Sequence, residues 1–135
     1  DEAERSGLPV FFHDGSAEYC SPVQVACFAR AHAGLTVVSG HSGLRELWRD
    51  YAEMAGAIPN LWLCLSGPTQ QGLQQLYDRL GPERLLFGSD GGLGTAMIIR
   101  TYLLRFERLN APAAHKQMML GDNAVRFLRE HCPPN

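Results

Sequence analysis

Hydrophobic positions along the 135-residue chain fall into two alternating rhythms. The first is a short unbroken apolar run: Val10-Phe11-Phe12 within residues 8–13, then residues 35–39, 61–65 and 84–88. Unbroken runs of this length predict strands covered on both faces, as in a parallel sheet. The second rhythm has helical spacing. Ser21-Pro22 supplies a cap and a first-turn proline ahead of a helix over residues 23–32, which Gly34 closes. Leu44, Leu47, Trp48, Tyr51, Ala52 and Ala55 share one face, with Arg45, Glu46, Arg49, Asp50 and Glu53 opposite, so a helix over 44–55 must lie against something apolar. Leu73, Leu76, Tyr77 and Leu80 mark a third helix, stopped by Gly81-Pro82. Ile99, Tyr102, Leu103 and Phe106 mark a longer fourth, followed past Pro112 by a short helical stretch over 116–120 and a final helix over 123–130.

The strand ends fall near His13, His41, Ser66 and Asp90, separated by 28, 25 and 24 residues. Each interval holds one strand, two turns and a helix of about 11 residues, close to the ~30-residue βαβ unit. Crossovers of this kind predict an α/β fold with parallel strands and right-handed connections. Two architectures are compatible: an open doubly wound sheet, or a (βα)4 half of a TIM-type (β/α)8 barrel. A whole barrel takes ~250 residues, so four units here make about half of one, a single domain over residues 1–135 with an extra C-terminal helix. The chain begins Asp1-Glu2-Ala3 without an initiator Met, which suggests a piece of something longer.

Composition narrows the function classes. Twelve Lys and Arg against 14 Asp and Glu give a net charge of −2, which lends no support to nucleic-acid binding or polybasic membrane contact. At 45% hydrophobic the chain can build a core. No apolar run approaches the ~20 residues a membrane helix needs. Cys20, Cys27, Cys64 and Cys132 lack metal-type spacing, and the absence of a visible signal peptide predicts reduced thiols and a cytoplasmic location.

The chemistry is carried by three residues in a shared register. His13 follows Val10-Phe11-Phe12, His41 follows Val37-Val38-Ser39-Gly40, and Asp90 follows Leu85-Leu86-Phe87-Gly88-Ser89. Each sits at the C-terminal end of a strand, the rim where parallel α/β folds build their sites. Imidazole and carboxylate are also the groups that hold zinc and similar divalent ions. Taken singly, each residue reads as an ordinary strand-end or turn residue; the common register is what joins them. His32, His115 and His131 fall on or beside helical stretches and read as surface histidines. Cys64 and the Trp48–Tyr51 pair read as core, and Ser66-Gly67-Pro68 as a turn.

Five segments in order carry a resemblance: His13-Asp14-Gly15, Gly40-His41-Ser42-Gly43, Asn60-Leu61-Trp62-Leu63 with Leu65-Ser66-Gly67, Arg84-Leu85-Leu86-Phe87-Gly88-Ser89-Asp90, and Gly121-Asp122-Asn123-Ala124. Together they resemble the second half of the amidohydrolase-2 family, metal-dependent hydrolases and decarboxylases on a (β/α)8 barrel, in its strands five to eight. The resemblance implies a divalent metal, zinc in first place, held by His13, His41 and Asp90. It also implies His41 and Asp90 as catalytic groups acting on a small carbonyl-containing substrate. No His-x-His pair of the kind the family carries on its first strand occurs in the sequence. Open sheet edges therefore predict self-association or a missing N-terminal half. The competing reading is a catalytically silent half-barrel that serves as a folding or interaction module. A nucleotide-binding open sheet is disfavoured, because Gly15-Ser16 forms neither a GxGxxG nor a P-loop.

Overall fold

A computed structural model describes residues 2–92 and 96–132. Four parallel strands, β1 (Val10–Phe12), β2 (Val37–Ser39), β3 (Leu61–Cys64) and β4 (Leu85–Leu86), lie side by side in chain order. Helices alternate with them: α1 (Glu2–Ser6), α2 (Pro22–Ala31), α3 (Trp48–Met54), α4 (Gln70–Leu80), α5 (Ala96–Glu107), α6 (Ala113–Gln117) and α7 (Asn123–His131). Sequential order with helical crossovers is the (βα)4 half-barrel arrangement and not the reordered sheet of a doubly wound fold.

Register explains how the sheet divides its side chains. Val37, Leu61, Leu63 and Leu85 face the helical layer, where they meet Val25, Ala29, Trp48, Tyr51, Leu73 and Leu76 in the main core. Phe11, Val38 and Trp62 pair across three strands on the opposite face, and there Val38, Trp62 and Leu86 pack with Phe127 of α7. The final helix thus doubles back over the second face. Its Phe127 ring meets Trp62 edge-on at 5.1 Å, and Arg126 lies 4.8 Å from the centre of the Trp62 ring.

Local chemistry sets the helix ends. Ser21 accepts from Gln24 N while the Gln24 side chain accepts from Ser21 N, a reciprocal capping box with Pro22 at the first turn. Thr69 caps α4 in the same sense, and Gly81 ends it with φ +69°.

Four expectations are corrected. The helix expected over 44–55 begins only at Trp48, because Ser42 and Leu44 adopt left-handed backbone (φ 48° and 53°) and hold residues 42–47 as turns. Leu44 is exposed as a result. Strand β1 is not covered on both faces: Phe11 is 64% exposed at the sheet edge. On α5 only Phe106 is buried, whereas Ile99 and Leu103 of the expected apolar face are exposed. His32, His115 and His131 are half-buried rather than on the surface, engaging Glu4, the Tyr77 hydroxyl at 2.7 Å and Thr36 Oγ1 at 3.1 Å respectively.

The N-terminal ends of the strands are stitched by side chains that donate to carbonyl groups. Asn60 Nδ2 donates to Ala29, His32 and Leu35 carbonyls at 2.8–3.1 Å, and Asn123 Nδ2 to Pro82 and Leu85 carbonyls at 2.7 and 2.9 Å. Arg84 donates to the Ala55, Ile58 and Leu61 carbonyls. Removing such a donor orphans part-buried or buried acceptors at about 1–3 kcal/mol. Asn60→Ala and Asn123→Ala are each expected to lower unfolding free energy by that amount in urea titrations followed by circular dichroism; a change under about 0.5 kcal/mol, typical of surface sites, would contradict the assignment.

Candidate active site

Three strand ends meet at the opposite, C-terminal rim. Chemistry-bearing groups of neighbouring strands come into contact there: the His13 and His41 rings stand edge-on with centroids 4.5 Å apart. His13 is exposed and His41 is 8% exposed. A cavity of about 330 Å³ is lined by Phe11, His13, Gly40, His41, Cys64, Ser66, Gly88 and Asp90. All three residues expected from the sequence therefore border one hollow. Among the described residues, however, no group of three histidine, cysteine, aspartate or glutamate side chains is placed to hold a metal ion. Two other cavities, between α4 and α5 and along α7, contain neither histidine nor cysteine.

The sequence reading missed the residue that builds the rim. Asp14 is 1% exposed and accepts three hydrogen bonds: from Ser39 Oγ at 2.7 Å, from His41 N at 2.9 Å and from Gly43 N at 2.8 Å. Its carboxylate thereby ties the end of β1 to the end of β2 and places His41 against His13. Ser39 Oγ in turn accepts from Ser42 N, and Ser42 Oγ donates to the Cys64 carbonyl, extending the network to β3. Gly43 must be glycine here: its φ is +80°, and a Cβ would lie 2.5 Å from the Leu47 carbonyl carbon. The Tyr51 hydroxyl is buried beside this network without a hydrogen bond of good geometry. Burial first, and the Asp14 charge second, push its ionisation far above the ordinary phenol range.

Ser66 and Cys64 belong to the rim as well. Trp62, Cys64 and Ser66 alternate on one face, so the chain places Cys64 on the cavity wall instead of the core expected for it. Burial pushes the Cys64 thiol up. Ser66 Oγ lies 2.9 Å from His41 Nδ1 and donates to the Gly40 carbonyl at 2.9 Å. Asp90, by contrast, is exposed, with left-handed backbone at φ 51°. Aspartate tolerates that conformation better than most residues, and such backbone at a rim marks a constrained position.

The family model described as Amidohydrolase matches residues 1–129. No curated protein sequence matches the chain. Among solved structures, an uncharacterised TIM-barrel protein from Bordetella bronchiseptica superposes with a TM-score of 0.73 at 23% identity, covering 96% of this chain and 48% of that one. A 2,6-dihydroxybenzoate decarboxylase from Rhizobium superposes at 0.63 with 18% identity, covering 95% and 53%. A dihydroxybenzoic acid decarboxylase from Polaromonas, with bound manganese and the inhibitor 2-nitroresorcinol, superposes at 0.62 with 16% identity, covering 94% and 51%. The chain spans about half the length of these structures, and at such identities the likeness establishes the fold.

Two substitutions probe the rim. Asp14→Asn keeps shape but sets an amide donor among N–H and O–H donors, so it is expected to cost nearly as much as Asp14→Ala, about 3–5 kcal/mol; an Asn variant as stable as the parent would show that shape alone matters. A Cβ at Gly88 would lie 2.2 Å from Cys64 Sγ, so Gly88→Ala is expected to cost about 1–3 kcal/mol. Most of that loss should vanish when Cys64→Ala is added, and additive losses in the double variant would contradict the contact.

Proposed function

Because the chain belongs to the amidohydrolase family, over residues 1–129, we propose that it forms the part of a metal-dependent amidohydrolase-type site that carries His13, His41 and Asp90. The observation that supports this most is the pair of imidazoles held 4.5 Å apart by a buried carboxylate, at a cavity that Asp90 also borders. The donors are of the right kind for a divalent ion, zinc by its preference for imidazole or manganese as in the Polaromonas protein. Their placement within one chain is incomplete. A completing unit, either a second copy or a further half-barrel, is therefore part of the proposal. The exposed Phe11 on edge strand β1 supports a covered state.

The substrate class is a small carbonyl-containing molecule, with hydrolysis or non-oxidative decarboxylation as the reaction. A bound divalent ion would polarise the substrate oxygen and ease ionisation of water. The residues of this chain do the rest. In hydrolysis the exposed Asp90 carboxylate takes a proton from the attacking water, and His41, nearly enclosed and fixed through its backbone by Asp14, either lends its free nitrogen to the ion or takes up a proton there and returns it to the reacting centre. Gly40 and Gly88 leave the cavity wall low enough for substrate to approach.

The incomplete donor set also favours a second reading, a silent half-barrel that serves as a folding or interaction module. One experiment separates the two: elemental analysis across size-exclusion fractions of the chain purified without chelator. The enzymatic reading expects the chain to associate, with stoichiometric metal in the associated fraction that His13→Ala and Asp90→Ala abolish. A metal-free monomer at micromolar concentration rules out completion by a second copy, and one that stays metal-free when a further half-barrel is supplied carries the silent reading.

A further inference from the structure

We infer that Ser66 is a positioning residue that fixes the tautomer of His41, so that the neutral ring carries its proton on Nδ1 and offers an unprotonated Nε2 to the cavity. Counting protons fixes the assignment. Ser66 Oγ lies 2.9 Å from both the Gly40 carbonyl oxygen and His41 Nδ1, and it has a single proton. The Gly40 oxygen can only accept. It belongs to a buried residue and receives no other hydrogen bond among the described residues, so turning the Ser66 proton away would leave a buried carbonyl unpaired, at about 1–3 kcal/mol. The hydroxyl proton therefore goes to Gly40, and the close Nδ1 contact is satisfied only when Nδ1 donates to Ser66 Oγ. Cys64 Sγ, the other group near Ser66, is protonated by burial and is too weak an acceptor to compete with a carbonyl.

The remaining nitrogen, Nε2, makes no hydrogen bond to a described residue and is not among the buried orphan atoms. It sits on a ring that lines the cavity, and Asp14 holds that ring's backbone from the other side. His41 is thus preset as an acceptor, a lone pair available to a proton or an ion, and not as an N–H donor toward substrate. Free imidazole side chains in water favour the opposite tautomer, so the preference has to come from the partner on Nδ1. The inference deepens the reading above and rests on His41 belonging to the functional site.

Long-range ¹H–¹⁵N correlation spectra of the chelator-treated, ¹⁵N-labelled chain at about pH 8, where an ordinary imidazole is neutral, read the tautomer directly. His41→Gln assigns the ring signals. The expected result is a protonated-type shift on Nδ1 and an unprotonated-type shift on Nε2, reverting to the Nε2–H form in Ser66→Ala and retained in Ser66→Thr. An Nε2–H tautomer in the unsubstituted chain, or an unchanged Nδ1–H tautomer in Ser66→Ala, overturns the inference. Titration with Zn²⁺ keeps the two readings apart: where zinc binds, Ser66→Ala should weaken it about 10–100-fold. A chain with the Nδ1–H tautomer and no affinity for Zn²⁺ supports the role of Ser66 and rejects a metal site built by copies of this chain alone.

Discussion

The Asp14 carboxylate, bonded by Ser39, His41 and Gly43 in the chain's interior, makes the ends of β1 and β2 a single unit. A buried carboxylate is costly to remove from water, and only a full set of donors offsets that cost. Here the donors are the hydroxyl of the last residue of the neighbouring strand and two backbone amides from the segment that follows it. The turn after β2 has little freedom left once they are engaged. Its left-handed residues Ser42 and Leu44, and the glycine between them, are the conformational cost of aiming two amides at one carboxylate. Those same residues prevent the next helix from starting before Trp48.

The two ends of the sheet are built on different principles. At the N-terminal end, Asn60, Arg84 and Asn123 bind loose carbonyl groups, and α7 lays Phe127 against Trp62. Those three side chains serve to close chain ends, which is a structural task. At the C-terminal end the imidazoles and Asp90 border a hollow instead of filling it. The chemistry-bearing groups gather at one end only, the division that parallel βα repeats allow because all strands point the same way.

The sequence showed the periodic parts of this arrangement clearly. Four apolar runs at near-equal intervals gave the parallel βα units, Ser21-Pro22 gave the start of α2, and the common register of His13, His41 and Asp90 gave their shared rim. What stayed hidden depends on contacts distant in sequence. Asp14, next to a more conspicuous histidine, received no role of its own, since nothing local shows that its donors lie 25–29 residues away. Ser66 and Cys64 were assigned from local composition, although period-two alternation from Trp62 already put all three on one face. The exposed side of α5 and the exposed Phe11 were unreadable for a different reason: helical or strand periodicity reports that a face is apolar, not that a neighbour is present to cover it.

That missing cover bears on why two of the three expected donors come together while the third stands apart. His13 and His41 grow from adjacent strands, about 4.8 Å apart, and the Asp14 network sets their rings in contact. Asp90 follows β4, three strand positions from β1, a separation of roughly 14 Å along a flat sheet. An ion with bonds of about 2 Å holds its ligands within some 4 Å of one another. Side-chain length alone covers only part of the difference; the rest has to come from curling the sheet so that strand ends turn toward a common axis, which is what closing eight strands into a barrel does. On the proposed reading the half-barrel would supply the donor residues, and closure would supply their convergence.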